Sequence, residues 1–402
     1  MYAYRKPFTV ADFGALRFLD IDYKIWLVIA QTTGYTLSKF VGIRFIAELN
    51  KGTRFQAVIK LIGIGWIALL LFAIVPAPYN IIFLLINGLP LGMIYGIVFS
   101  YIEGRRTTEF LGAVLAASFI FASGFTQSAG KWVMKMLDTN IWWMPFMTGL
   151  VFFIPLLFFT WLLDRTPPPT AEDIAQRTER RTMNKAERRK FIRHFFPGLL
   201  LLVLTYILLT ILRDYRSNFA ANIWKEQNLE NDSSIYTTSE LVPSIVILVL
   251  MALLISIRSN MRALMVNHTL VILGFFLAAI STLLFQAGWI SPFWWMTLTG
   301  TGLYMGYVPF NCMLFERLIA SFRYVSTAGF IIYVADAFGY LGSDAVLLIK
   351  NFGNFSLSWT DFYIQLVLGV SAMGVLMTSI AAFYFKRKYN RHTLASSIIH
   401  YA

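Results

Sequence analysis

Apolar residues fall along this chain in long unbroken runs separated by short polar connections. After a polar stretch near the start, the runs cover 24–47, 55–75, 79–101, 110–136 and 141–163, then 195–224, 236–257, 263–286, 292–315, 325–349 and 362–385. Each is near or above the roughly 20 apolar residues with which a helix crosses a bilayer. The runs are continuous rather than alternating, which excludes a β-barrel. The first residues, MYAYRKPFTVAD, read as the second half of one more membrane helix. Its first half, roughly ten apolar residues, is expected upstream of Met1.

One long polar stretch interrupts the pattern, DRTPPPTAEDIAQRTERRTMNKAERRKFIRH at 164–194. It divides the chain into an N-terminal half of six helices over 1–163, the first of them partial, and a C-terminal half of six over 195–385, with a tail over 386–402. The expected fold class is therefore an all-α polytopic membrane protein made of two six-helix halves.

Composition agrees, since 57% of residues are hydrophobic, 14% are charged and the mean hydropathy is +0.63, values foreign to soluble domains. The net charge of +13 does not imply a nucleic-acid partner. The Lys and Arg residues sit on alternate loops: Lys51 and Arg54, Arg105 and Arg106, the 164–194 linker, Arg258 and Arg262, Arg317 and Arg323, and Lys386 to Lys388. That distribution follows the positive-inside rule and makes those loops, the linker and the C-terminal tail cytoplasmic, in an inner membrane. The lipid bilayer is the large partner, and the protein is expected to act as a monomer. The single cysteine, Cys312, excludes an intramolecular disulfide, and His194, His268, His392 and His400 lack ligand spacing. No metal or cofactor is expected. No nucleophile, base and orienting group converge either, so an enzyme is not expected.

Charge inside the apolar runs carries the functional information. In TYILLTILRDYRSNFAANIW, 205–224, the residues Arg213, Asp214 and Arg216 interrupt an apolar pattern that continues beyond them. Each such charge costs roughly 2.5 to 3.5 kcal/mol at a helix centre, so a role is expected for it. Two six-helix halves joined by a basic linker form the plan of the major facilitator superfamily, in which substrate lies near the midplane between the halves. Arg5 lies in the first helix of one half and Arg213 in the first helix of the other. A pseudo-two-fold axis along the membrane normal would set them facing each other, and two planar guanidiniums on one cavity imply an anion. Lys39, beside Ser38, is either a third cation at the cavity or a snorkelling side chain.

At these residues the chain resembles the organophosphate:phosphate antiporters, the family of the bacterial glycerol-3-phosphate and hexose-phosphate transporters. YAYRKPFTVA at 2–11 is similar to that family's first-helix motif, and GYTLSKFVGI at 34–43 to its second-helix motif. ILRDYR at 211–216 and AGFIIYVADAFGYLGS at 328–343 resemble its seventh- and eleventh-helix segments. The resemblance implies that Arg5 and Arg213 hold a phosphate, that Lys39 adds charge, and that Tyr2, Tyr35 and Tyr340 line the cavity. It departs from the family at Phe121, where a histidine is usual, and at Thr210, where a tyrosine is usual. Asp214, Asp336 and Asp344 are additions to the pattern, either pairing with the basic residues or carrying a proton.

VGIRFIAELNKGTRF at 41–55 resembles the superfamily's second-to-third-helix loop, where Glu48, Lys51 and Arg54 are either a gating charge relay or plain topogenic charge. The small residues of NGLPLGMIYG, 87–96, and GFTQSAG, 124–130, are expected at close helix contacts. The function implied is secondary active transport of a small organophosphate or related organic anion, with phosphate as exchange partner. A proton-coupled carrier of carboxylates or zwitterions, and a transport-inactive sensor on the same scaffold, are the alternatives.

Overall fold

A computed structural model describes all residues except 15, 49–50, 103–104, 106, 169, 171–184, 323–328, 353–356 and 402. The chain opens on two 3-10 turns, Tyr2–Tyr4 and Pro7–Val10, where half a helix was expected. An α-helix through this stretch would need Pro7 to donate to Ala3, and proline has no N–H. A short antiparallel pair follows, β1 (Arg17–Phe18) and β2 (Ile21–Asp22), its turn made by Leu19 and Asp20 at φ 52° and 61°.

The helices before the linker are α1 (Tyr23–Glu48), α2 (Arg54–Ile74), α3 (Ile81–Ile102), α4 (Thr108–Met136), α5 (Met144–Val151) and α6 (Phe153–Asp164). After it come α7 (Lys185–Glu226), α8 (Ile235–Ile255), α9 (Asn260–Gln286), α10 (Pro292–Pro309), α11 (Phe315–Ser321), α12 (Gly329–Phe352) and α13 (Trp359–Tyr401).

Prolines explain two breaks that the apolar pattern did not foretell. The run 141–163 is bent by 47° between α5 and α6, because Pro155 cannot donate to Val151, the last residue of α5. Pro309 likewise leaves a π-turn, Phe310–Leu314, between α10 and α11. Conversely, α7 extends back from the apolar run to Lys185 without a break, and α13 continues through the expected tail.

The protein is an all-α polytopic membrane protein. Among the described residues seven helices are long and apolar enough to span a bilayer, and the bent α5–α6 pair would make an eighth. The helices α1, α10 and α12 carry polar residues along their lengths: Lys24, Gln31 and Lys39, a run of Thr and Gly, and Asp336 and Asp344. All three contribute to the site described next.

Backbones approach closely where glycine permits. A Cβ added to Gly88 on α3 would lie 2.2 Å from the Gln31 carbonyl on α1. Gly88→Val should therefore force the helices apart and destabilise the protein by about 1–3 kcal/mol or more. A thermal midpoint in detergent equal to wild type would show that the α1–α3 contact is looser than this. Gly124 of α4 meets the Tyr236 carbonyl of α8 in the same way, so α4 packs across to the part of the chain after the linker.

Candidate functional site

Polar side chains at helical spacing build the site. On α1, Gln31, Tyr35 and Lys39 stand one turn apart, as do Asp336, Tyr340 and Asp344 on α12, and Tyr206, Thr210, Arg213 or Asp214, and Ser217 on α7. A spacing of three or four residues puts each set on one helix face. α1 packs on α12, and α7 on both α12 and the turn at 7–10, so the three faces meet in the interior.

Three layers follow one another from the linker end of the bundle to the far end. In the first, Lys39 Nζ lies 3.5 Å from Asp336 Oδ2, and Asp336 Oδ1 accepts a hydrogen bond from Tyr206 Oη. Tyr206 Oη also lies 3.1 Å from Tyr307 Oη and 3.2 Å from Asn311 Oδ1, the latter within the π-turn.

The second layer holds the two arginines. Arg5 Cζ stands 4.1 Å from the centre of the Tyr35 ring, and Tyr35 meets Tyr340 edge to face at 5.3 Å. Arg213 Cζ lies 5.3 Å from the Tyr340 ring and 4.5 Å from that of Tyr307. The two guanidiniums thus bracket a pair of touching tyrosines. Arg213 Nε and Nη2 both donate to Asp214 Oδ1, at 3.0 and 2.8 Å, and Nη1 donates to Tyr307 Oη. Asp214 Oδ2 is buried with no partner. Arg5 has no carboxylate within ion-pair distance among the described residues, and its Nε is buried without a hydrogen-bond partner. Tyr2 sits in the same field, with Arg5, Tyr35, Arg213 and Asp214 as its electrostatic neighbours.

The non-helical backbone beneath Arg5 is held by amides. Asn87, fully buried on α3, donates to the carbonyls of Tyr4 at 3.0 Å and Gly65 at 2.8 Å, and accepts from Gln31, which also donates to the Arg5 carbonyl at 3.1 Å. Irregular backbone at membrane depth persists only where its polar groups find such partners.

The third layer joins Arg216 and Asp344, which the sequence singled out, to two residues that the sequence reading passed over, Lys6 and Glu240. Lys6, 5% exposed, donates from Nζ to Ser217 Oγ at 2.7 Å and Asn218 Oδ1 at 2.8 Å. Arg216 donates to the Met296 carbonyl and to Glu240 of α8. Asp344 is half-buried, with Oδ1 unpartnered and Asp214 as its charged neighbour. The signal for Lys6 and Glu240 was the one that singled out Lys39, an ionisable residue within an apolar context. For Tyr206 there was no comparable signal.

Toward the far end the two parts of the chain are stitched together. Gln127 donates to Thr9 Oγ1 and to the Ser217 carbonyl, both at 2.8 Å, and Thr237 Oγ1 donates to Ser128 Oγ at 2.7 Å. GFTQSAG therefore supplies hydrogen bonds as well as the expected close packing. Lys24 reaches Asn222 Oδ1 at 2.7 Å, and Lys225 pairs with Asp12 at the surface. The bond from Lys225 holds the Asp12 carboxyl below its usual range. What little stability this exposed pair contributes is present at neutral pH and lost as pH falls through that lowered value.

Of the gating loop, the side chains of Glu48 and Lys51 lie outside the described residues. Arg54 donates to the Ser100 carbonyl at 3.1 Å and stands 5.3 Å from the Tyr101 ring, tying α2 to the end of α3.

A model of a family of unknown function, DUF5690, matches residues 7–388. No curated protein matches the sequence. Among solved structures, the human organic anion transporter MFSD10 (TETRAN) is similar with a TM-score of 0.54 at 12% identity, over 89% of this chain and 83% of that one. At that identity the likeness shows a shared fold alone. The narrower resemblance to organophosphate:phosphate antiporters rests on the motifs alone.

Proposed function

The chain belongs to DUF5690, a family of unknown function, and we propose that it is a secondary transporter for a small organophosphate or related organic anion. It works by alternating access, with inorganic phosphate as exchange partner at the same site. The observation that carries this reading is the state of Arg5. Lys39 and Arg213 have carboxylates beside them, whereas the Arg5 guanidinium stacks on Tyr35 with an unpartnered, buried Nε and, among the described residues, no carboxylate within ion-pair distance. A partly buried charge without a counter-charge carries a desolvation cost, and a phosphate or carboxylate group matches the guanidinium fork. The substrate supplies that anion.

Arg213 completes the clamp by exchanging Asp214 for a substrate oxygen, one anion for another. Tyr2, Tyr35 and Tyr340 shape the space, and Lys39 adds charge at its linker end. An anion held by Arg5 and Arg213 draws the two parts of the chain together, and this differential affinity shifts the inward and outward populations. The fold neighbour is described as an organic anion transporter, in keeping with an anionic cargo for the two guanidiniums here.

The experiment is exchange in proteoliposomes. Glycerol phosphate should enter vesicles loaded with phosphate faster than empty ones. Binding without flux would make the protein a sensor, and uptake of carboxylates but not phosphate esters would overturn the reading.

We place the linker end in the cytoplasm from the Lys and Arg content of its loops. A cysteine in place of Gln176, with Cys312→Ser, should resist labelling by an impermeant reagent added outside intact cells. Ready labelling would reverse the orientation.

A further inference from the structure

Lys6 brings a cation's chemistry to a place where, among the described residues, no carboxylate pairs with it. Its Nζ, on a side chain 5% exposed, has two acceptors, Ser217 Oγ and Asn218 Oδ1. No carboxylate lies within ion-pair distance of it among the described residues. An ammonium has three N–H donors and needs a counter-charge once out of water. A neutral amine has two donors, which these two acceptors satisfy.

The charges around it leave room for one more. Those acting on Lys6 are Arg5 on its own segment, Arg213 and Asp214 on α7, and Glu240 on α8. From α4 the groups bonded into the same network, Ser123 and Gln127, do not titrate. Arg213 is matched by Asp214 and Glu240 by Arg216, so of the charges acting on Lys6 among the described residues, that of Arg5 alone stands uncompensated. A phosphate monoester above its second pKa of about 6 carries close to two negative charges. Held by Arg5 and Arg213, it brings one negative charge more than the site can match. That excess falls beside Lys6, next to Arg5 in the chain and bonded to Ser217, one turn beyond Arg213.

We propose that Lys6 is the proton-coupling group of this protein, a neutral amine in the arrangement seen here that takes up one proton when a dianionic phosphate ester binds. Anion and proton then cross together, and an acidic exterior favours uptake. The inference rests on the anion site proposed above.

Calorimetry of glycerol phosphate binding to the purified full chain at pH 8, in buffers of different ionisation enthalpy, counts the protons. At that pH the ester is already a dianion, so uptake belongs to the protein. Wild type should take up about one proton per anion, and its affinity should rise about tenfold for each unit the pH falls toward neutrality. Lys6→Gln should bind weakly with uptake near zero. Lys6→Arg should bind with no uptake, because its guanidinium is already charged. Asp344→Asn should keep the full uptake.

Binding to wild type without proton uptake overturns the proposal, as does uptake that survives Lys6→Gln or vanishes in Asp344→Asn. The last two results would assign the proton to another group, Asp344 first. If neither Lys6 variant binds, the wild-type count and the Asp344→Asn control still decide. Absence of any binding to wild type would instead overturn the anion site, and this inference with it.

Discussion

Arg213→Lys is expected to bind a phosphate ester about ten- to a hundredfold more weakly than wild type, or worse, although it keeps the positive charge. The arginine uses its whole fork: Nε and Nη2 grip one oxygen of Asp214 while Nη1 reaches Tyr307. A lysine offers one point charge on a flexible stem and cannot hold two phosphate oxygens in a planar fork and Tyr307 together. Charge-assisted hydrogen bonds contribute about 1.5 to 3 kcal/mol each, so losing one or two accounts for the expected factor. Arg5→Lys should weaken binding at least as far, since it also gives up the stack on Tyr35. A purely structural Arg213 behaves otherwise. Were its purpose only to pair with Asp214, Arg213→Ala with Asp214→Ala would remove both members of the buried pair and restore function. Equilibrium binding of glycerol phosphate to the two lysine variants and the double variant separates the cases. Near-normal binding in both lysine variants would refute the clamp.

The parts of this molecule legible in its sequence are those that a bilayer enforces locally. A membrane admits few backbone solutions, so apolar runs translate almost directly into helices. The expected 110–136 is Thr108–Met136, and the expected 236–257 is Ile235–Ile255. What stayed hidden depends on tertiary partners. Pro90, Pro197 and Pro243 sit inside helices that continue past them, while Pro155 and Pro309 coincide with breaks. Only the surroundings decide whether a freed carbonyl finds another partner. The same holds within the site. Arg5, Lys39 and Arg213 could be read as charges in apolar runs. That Lys39 stands beside Asp336, or that Lys6 reaches Ser217 across 211 residues of sequence, follows from helix packing. Nothing in the sequence marked Tyr307 on α10, and helix packing brings it to Arg213 and Tyr206.

The other large effect concerns Arg216 and Glu240, which lie beyond the proposed clamp toward the far end. Their side chains are 3% and 9% exposed, and the guanidinium also donates twice to the Met296 carbonyl, at 3.1 and 2.9 Å. The cavity is shaped for it, since a Cβ on Gly300 would come within 2.6 Å of Arg216 Cζ. Glu240→Ala strands that guanidinium in the interior, and breaking one side of a buried ion pair costs about 3–5 kcal/mol. We expect a large fall in thermal midpoint and in the monodisperse fraction in detergent. Replacing both partners by apolar residues, Arg216→Met with Glu240→Leu, should recover most of the loss, because neither charge then has to be desolvated. The asymmetry between single and double variants identifies a structural pair, whereas lost anion binding at unchanged stability would make Arg216 a third arm of the clamp. A Glu240→Ala protein as stable as wild type would mean that the Met296 carbonyl alone compensates the guanidinium, and the pairing would then contribute little.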